Sequence, residues 1–435
     1  MNAFFALTTI RKRVFHFCTI AFLLSSACTS SKQIHTARYT SEKNNSFLEE
    51  LLKQQPGYFD HVLKNPDSFR VQIIYTQINR SKNNRPAFTH HYFNVDPAQY
   101  FYPASTVKMP VALTALEKLK RLKKYRITRE SPIITESELQ SQTPVYNDPT
   151  TPDGKPTIAH YIKKIFLVSD NDASNRLYEF VGQEYLNNAL HKKGYQDVEL
   201  LHRLSVKMNE EENRHTNPVT FLNDSGTVIY PQPAQVSALI FQSRNILIGN
   251  GYIHDGKLVS EPFNFSKRNQ ISLPDLQSIL QSVLFPLSVR KKQRFNISGD
   301  DRIFLLQYLS QYPAETTHPH YDSSAIWDGY GKFLLWGSEK GPLPKHIRVF
   351  NKSGGAYGFL TDVAYMADFD KSIEFMLSAT IYCNSDGIFN DDRYDYEKLG
   401  FPFMKHLGQI IYEYESKRNR RTIPDLSAFK MKYDR

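Results

Sequence analysis

The stretch IRVFNKSGGAYGFLTDVAYMADFDKSIEFMLSATIY, residues 347–382, decides how the chain folds. It holds three β-rich runs, 347–352, 359–369 and 373–382, joined by short turns containing Gly or Asp. A second strand pair stands near the other end. Residues 69–79 and 88–95 are rich in β-formers, and the polar turn 80–85 separates them as a hairpin would. Between the ends the period is helical. Residues 46–53 put Leu48, Leu51 and Leu52 on one side, and 105–124 repeat the pattern with Val107, Val111, Leu113, Leu116 and Leu119. Residues 157–193 read as two further helices, 274–284 as a helix within a turn-rich stretch, 298–346 as turns and aromatics, and 401–415 as a closing helix. Strands at both ends and helices between them predict an α+β fold: one antiparallel sheet built from both chain ends, flanked by helices, with a helical subdomain. No Pro/Gly/Ser-rich linker divides the body.

At 435 residues the chain has room for one large domain or two ordinary ones. Hydrophobic residues make up 40% and charged residues 23%, and 26 Tyr with 29 Phe argue against extended disorder. With 19 Gly and no Gly-X-Y period, fibrous classes are excluded. The net charge is +10, three units of which come from Arg11, Lys12 and Arg13. The rest is a mild excess, consistent with an anionic envelope setting. Without zinc-finger spacing or an Arg-rich recognition segment, nucleic acid is not an expected partner.

The first residues read as an address. A basic Arg11-Lys12-Arg13, a short apolar run from Val14 to Leu24, and small Ser25, Ser26 and Ala27 before Cys28 describe a secretory signal over 1–27. A Cys directly after small residues resembles a bacterial lipoprotein signal, although Ser25 stands where that signal usually has Leu. The resemblance implies lipidation of Cys28, a polar tether over 28–45, membrane attachment through the lipid and an exported, envelope-facing protein. A plain signal peptide is the alternative. Cys383, in an apolar run, is expected to be a small buried hydrophobe, and the body should hold together without a disulfide.

Three short motifs carry the chemistry. Ser105-Thr106-Val107-Lys108 opens the helix expected at 105–124, and residues three apart share a helix face. A lysine amine with a lowered pKa can take the proton of a neighbouring hydroxyl and make it a nucleophile. Ser169-Asp170-Asn171 follows an apolar helix; such residues also serve as ordinary caps. Lys352-Ser353-Gly354-Gly355 ends an apolar strand, where a cation can hold a carboxylate and small residues admit a substrate to the backbone. Each motif alone is common in long chains.

In this order, and on these elements, the three resemble the signature of the serine β-lactamases and penicillin-binding proteins, and in particular class A β-lactamase-like serine hydrolases in lipoprotein form. The resemblance spans roughly 46–415 in layout and is close only around the motifs. It implies Ser105 as acylated nucleophile, Lys108 as its activator, Ser169 as proton relay to the leaving nitrogen, and Asn171 as the group orienting Lys108 or the acyl amide. It also implies Lys352 and Ser353 as carboxylate binders, with backbone N–H groups of Ser105 and Gly355 holding the oxyanion beside Gly354. No metal or cofactor is implied. A β-lactam or cell-wall-like peptide is the implied substrate, and a monomer the implied state.

The sequence departs from that family at one position. Class A enzymes carry a Glu in the loop after Ser-Asp-Asn that activates the deacylating water. Aligned from Arg203-Leu204, that position falls on Met208, while Glu210, Glu211 and Glu212 follow closely and otherwise read as a solvated loop. Slow deacylation, or a non-catalytic envelope protein binding peptidoglycan peptides or a partner, is therefore the alternative function. Between Ser169 and Lys352 an insertion within about 220–345 is expected to cover or reshape the cleft. Its aromatic run 327–336 could line a groove or pack in the core. Residues 416–435 read as a basic tail.

Overall fold

The computed structural model describes residues 46–434. The signal, Cys28 and the tether lie outside the described residues.

The frame-building elements are, in chain order, α1 (Ser46–Leu52), α2 (Pro56–Lys64), β1 (Gln72–Arg80), β2 (Pro86–Phe93), α3 (Lys108–Arg121), α4 (Ile158–Val168), α5 (Asn171–Val181), α6 (Gln183–Lys193), α7 (Leu273–Leu284), α8 (Gly299–Ser310), β3 (Ile347–Ala356), β4 (Phe359–Asp368), β5 (Ile373–Tyr382) and α9 (Phe401–Lys417). The five strands form one antiparallel sheet in the order β3-β4-β5-β1-β2. The seam between the chain ends is β1 against β5, with Gln72 opposite Thr380.

Both faces of the sheet are covered over β1, β3, β4 and β5, which is why these strands read as nearly continuous apolar runs, whereas edge strand β2 is mostly half-buried or exposed. Successive side chains point to opposite faces. Ile73, Tyr75, Val349, Leu377 and Ala379 pack with α1, α2 and α9 through Leu48, Phe59, Phe403 and Leu407. Ile74, Ile78, Phe350, Val363 and Tyr365 face the other way, onto α7, α8 and the helical region. Each such apolar side chain taken fully out of water contributes about 1.5–3 kcal/mol.

The structure corrects three expectations. The helix expected at 105–124 begins as a 3-10 turn, Ala104–Val107, before α3. The two helices expected in 157–193 are three, because Ser169 adopts a left-handed conformation at φ +59° and Gly182 turns at φ +85°. Residues 298–346 contain α8, whose start is fixed by a reciprocal capping box between Ser298 and Asp301. At the start of the basic stretch, Arg418 and Arg420 fold back onto buried Glu415, which also accepts from Tyr75. The three charges and the phenol satisfy one another where none could be buried alone. Cys383 is buried and unpaired, and burial raises its thiol pKa. Among the described residues no helix is long and apolar enough to cross a membrane.

Segment 318–345 runs from α8 to β3 and is clamped to the sheet. Asp362 on β4 accepts from the backbone N–H groups of Phe333 (3.1 Å) and Leu334 (3.0 Å), and from Asn351 Nδ2 (2.7 Å). The fully buried Lys332 amine donates to Leu309 O, Val349 O and Asn351 Oδ1 at 2.8–2.9 Å. Burial pushes that amine down to about 7, with Asp362 opposing. Gly408 on α9 lets the segment approach: a Cβ there would stand 2.2 Å from Leu335 N. Gly408→Ala is therefore expected to destabilise the fold by about 1–3 kcal/mol through overpacking, read as a lower urea midpoint at unchanged m-value.

Candidate active site

The 3-10 turn Ala104–Val107 packs against β3. Ala104 sits at φ +46°, a conformation costing an alanine roughly 1–3 kcal/mol, and Thr106 ties the turn to Pro103 O through its hydroxyl (2.6 Å) and its N–H (3.1 Å). Close approach requires the glycine of β3. A Cβ on Gly354 would lie 2.6 Å from Ser105 N, 2.9 Å from Thr106 N and 3.0 Å from Pro103 O. The turn thus presents half-buried Ser105 beside the exposed Gly355. Among the described residues Ser105 Oγ makes no hydrogen bond.

One turn on, Lys108 is completely buried. Its Nζ bonds the backbone carbonyl of Ser169, Ser169 Oγ at 3.1 Å and Asn171 Oδ1 at 2.7 Å. The α4–α5 junction explains how one short motif supplies three groups. Left-handed Ser169 ends α4, Asp170 caps α5 by accepting from Ala173 N (2.8 Å), and Asn171 starts the next turn facing the lysine. From the sheet side, Lys352 Nζ reaches the same hydroxyl, Ser169 Oγ, at 3.0 Å and also donates to Ser353 O at 2.7 Å.

Two buried amines therefore share one hydroxyl. Desolvation, and then the like charge of Lys352, hold the Lys108 amine well below the ordinary lysine range, against the pull of Asp170. Burial pushes Lys352 down to about 7, with Asp362 opposing. If Lys108 is neutral, its two N–H groups are spent on Ser169 O and Asn171 Oδ1, and its lone pair is left for a hydroxyl proton.

The Lys352–Ser353 end of β3 is roofed by segment 318–345. Ser353 Oγ donates to Gly331 O (2.7 Å), and Asn351 Nδ2 donates to the same oxygen (2.8 Å). Tyr330 and Gly331 line, together with Lys352 and Ser169, a void of about 10 Å³, room for about one water. So Tyr330 of the aromatic run lies at the cleft, whereas Leu334 and Leu335 are buried in the core.

The loop after the second motif differs from the sequence expectation. Arg203 is buried with Glu179 at 2.9 Å, Glu179 pairs with Arg176 at 3.0 Å, and Arg203 also donates to His215 O and Asn217. Asn175 of α5 clamps Leu204 through both backbone groups, at 2.9 and 2.8 Å. These anchors project Ser205, at φ +54°, so that its Oγ accepts from Asn171 Nδ2 at 2.8 Å. Ser205, rather than Met208, is the loop residue that reaches the amine cluster. Glu210 pairs with Arg214 and Lys267, Glu212 caps the five-residue helix Glu210–Arg214, and Glu211 is exposed. No carboxylate accepts a hydrogen bond from Lys108, Ser169 or Asn171 among the described residues, and no group of His, Cys, Asp and Glu there could hold a metal. Sequence reading missed Ser205 and Gly331, since both act through loop backbone that carries no periodic signal.

Residues 61–232 match the family described as the beta-lactamase enzyme family. This segment covers less than half of the chain and contains Ser105, Lys108, Ser169 and Asn171, but not Lys352. No curated protein matches the chain. Among solved structures, it is similar to a beta-lactamase from Sphaerobacter thermophilus at 13% identity, covering 84% of this chain and 97% of that one, with a TM-score of 0.43. It is also similar to a PBP-A mutant in acyl-enzyme complex with penicillin-G at 15% identity, covering 87% and 99%, with a TM-score of 0.44. A class A beta-lactamase from Clostridium kluyveri has 15% identity, coverage of 85% and 97%, and a TM-score of 0.44.

Because a Cβ on Gly354 would crowd the backbone of the Ser105 turn, Gly354→Ala is expected to displace that turn, and any labelling of Ser105 by a penicillin is expected to slow by about a hundredfold. Initial rates of fluorescent-penicillin labelling, with circular dichroism to verify folding, check this.

Proposed function

We propose that the protein is a serine hydrolase of the β-lactamase and penicillin-binding type that forms an acyl-enzyme on Ser105 with a β-lactam or a cell-wall-like peptide and releases it slowly. The observation that carries this reading is the Ser169 hydroxyl held between two buried lysine amines, one of which, Lys108, lies one turn along the chain from Ser105. A purely structural site has no use for that arrangement, because burying two ammonium groups side by side costs stability.

In this reading Ser105 Oγ attacks the substrate carbonyl carbon and its proton passes to neutral Lys108. The C–N bond then breaks, and the proton reaches the departing nitrogen through Ser169, leaving an ester on Ser105 and a free amine. Asn171 keeps the Lys108 lone pair aimed inward. The backbone N–H groups of Ser105 and Gly355 hold the oxyanion. Lys352 and Ser353 grip the substrate carboxylate once Ser353 exchanges Gly331 O for it. Ser105 Oγ and Lys108 share no hydrogen bond, so the transfer requires the two side chains to close on each other as substrate binds.

Intact mass spectrometry after exposure to a penicillin is expected to give one adduct, absent in Ser105→Ala. Its formation rate at neutral pH should fall as pH falls, because Lys108 works only when deprotonated and its lowered pKa makes the neutral amine available below the ordinary lysine range. An adduct that persists in Ser105→Ala, or none in the wild type, overturns the reading.

The expectation of slow release rests on no carboxylate hydrogen-bonding the amine cluster among the described residues. Ser205→Glu, at the position facing Asn171, is expected to shorten adduct lifetime by about a hundredfold, the scale of one general base. Glu210→Gln, Glu211→Gln and Glu212→Gln should each leave it unchanged.

A further inference from the structure

We propose that the end of the molecule formed by the β1–β2 turn, residues 286–294 and residues 416–424 is a docking face for an anionic phospholipid bilayer, with Leu287 and Ile423 entering the headgroup layer. The inference is independent of the chemistry at Ser105.

Contacts bring the three stretches together. The Phe285 ring, at the end of α7, lies 5.1 Å from Phe88 of β2, 5.5 Å from the Arg80 guanidinium and 5.4 Å from Phe429. Arg80 Nη1 donates to Asn84 O at 2.9 Å. The Asn84 side chain then exchanges hydrogen bonds with the backbone of Asp425, at 2.8 and 3.2 Å. Arg418 Nη1 donates to Asn79 Oδ1 at 2.6 Å. The hairpin tip therefore stands between the chain leaving α7 and the chain leaving α9.

Their charge is of one sign. Residues 81–85 hold two Lys or Arg, 286–294 hold four and 416–424 hold four, and none of the three holds an Asp or Glu. Arg418 and Arg420 are taken up by Glu415. Lys82, Arg85, Lys291, Lys292, Lys417 and Arg421 are exposed and make no ion pair among the described residues. Beside these cations stand two of the three most exposed large apolar side chains of the described residues, Leu287 at 85% and Ile423 at 76%. So exposed, they contribute little to the core. Cations around apolar projections match a surface with phosphates outside and hydrocarbon beneath. A soluble polyanion would engage the charges and leave both apolar side chains in water.

Two placements agree with this. The described chain begins at Ser46, and the Phe47 ring packs on Tyr414 at 5.0 Å, whose carbonyl accepts from Arg418 N at 2.9 Å. The segment before Ser46, with the lipid expected on Cys28, thus joins the body beside the basic stretch. The Ser105 site lies at the far end of the sheet. Gly354 sits in the row Thr361, Thr380, Gln72, eight residues along β1 from Arg80. That separation is about 25 Å at the rise of a strand, so docking leaves the site clear of the bilayer.

The test is co-sedimentation of the full chain carrying Cys28→Ser, which removes the thiol expected to be lipidated, with phosphatidylcholine vesicles containing or lacking about one third phosphatidylglycerol. This parent chain is expected to bind the anionic vesicles at least about tenfold more tightly, and to lose the preference in about 1 M salt. Lys291→Gln with Lys292→Gln, and Lys82→Gln with Arg85→Gln, should weaken anionic binding by about fivefold per charge removed. Lys257→Gln with Lys398→Gln, which removes two exposed charges elsewhere, should not weaken it. Leu287→Ser with Ile423→Ser should weaken vesicle binding about tenfold and leave binding of dextran sulfate unchanged. Circular dichroism verifies that each variant is folded. No anionic preference in the parent chain, unchanged binding in both charge variants, or an equal loss in the control pair overturns the face. Wild-type vesicle affinity in the apolar double variant assigns the cations to a soluble polyanion and overturns the bilayer.

Discussion

The site rests on one constraint: two lysine amines are buried within hydrogen-bond reach of the same serine hydroxyl. Water is excluded from Lys108 and Lys352, so neither charge is solvated as it would be at a surface, and each raises the cost of protonating the other. The fold accommodates this by surrounding them with oxygen. Ser169 supplies a carbonyl and a hydroxyl, Asn171 an amide oxygen, and Ser353 a carbonyl. The rest of the architecture delivers those oxygens to one point: a helix break with a left-handed serine on one side, and a strand from the far end of the chain on the other.

The same logic operates behind the sheet. Lys332, Asn351 and Asp362 form a second buried polar network that fastens segment 318–345 to β3 and β4. Asn351 belongs to both layers, since its side chain also holds Gly331 O, the oxygen that occupies the Ser353 hydroxyl. The roof over Lys352 is therefore attached to the sheet and is continuous with its interior. On the opposite flank, Arg203, Glu179 and Asn175 fasten the loop that carries Ser205. The amine cluster lies between two anchored flanks.

Much of this was legible in the residues. Periodicity located the sheet strands and the closing helix, because both faces of the sheet are buried and alternation fills each with apolar side chains. The three motifs named Lys108, Ser169, Asn171 and Lys352, which meet as hydrogen-bond partners. What was illegible lay in irregular backbone. Nothing in Arg203-Leu204-Ser205-Val206 shows that a positive φ at Ser205 aims its hydroxyl at Asn171, so counting along the sequence landed on Met208. Helix α8 was hidden because its polar and aromatic positions do not form a clean stripe; its capping box, Ser298 with Asp301, was the overlooked signal.

The sequence by itself determined the strand and helix frame, the antiparallel pairing of the chain ends and the inventory of reactive side chains, because these follow from local periodicity and residue chemistry. Only the tertiary structure decided which oxygens surround the two amines, that Gly331 holds the Ser353 hydroxyl, and that Ser205 stands at the cluster. Those outcomes depend on contacts between segments 22 to 183 residues apart, and their geometry is set by how loops are fastened to the core, which no local pattern encodes.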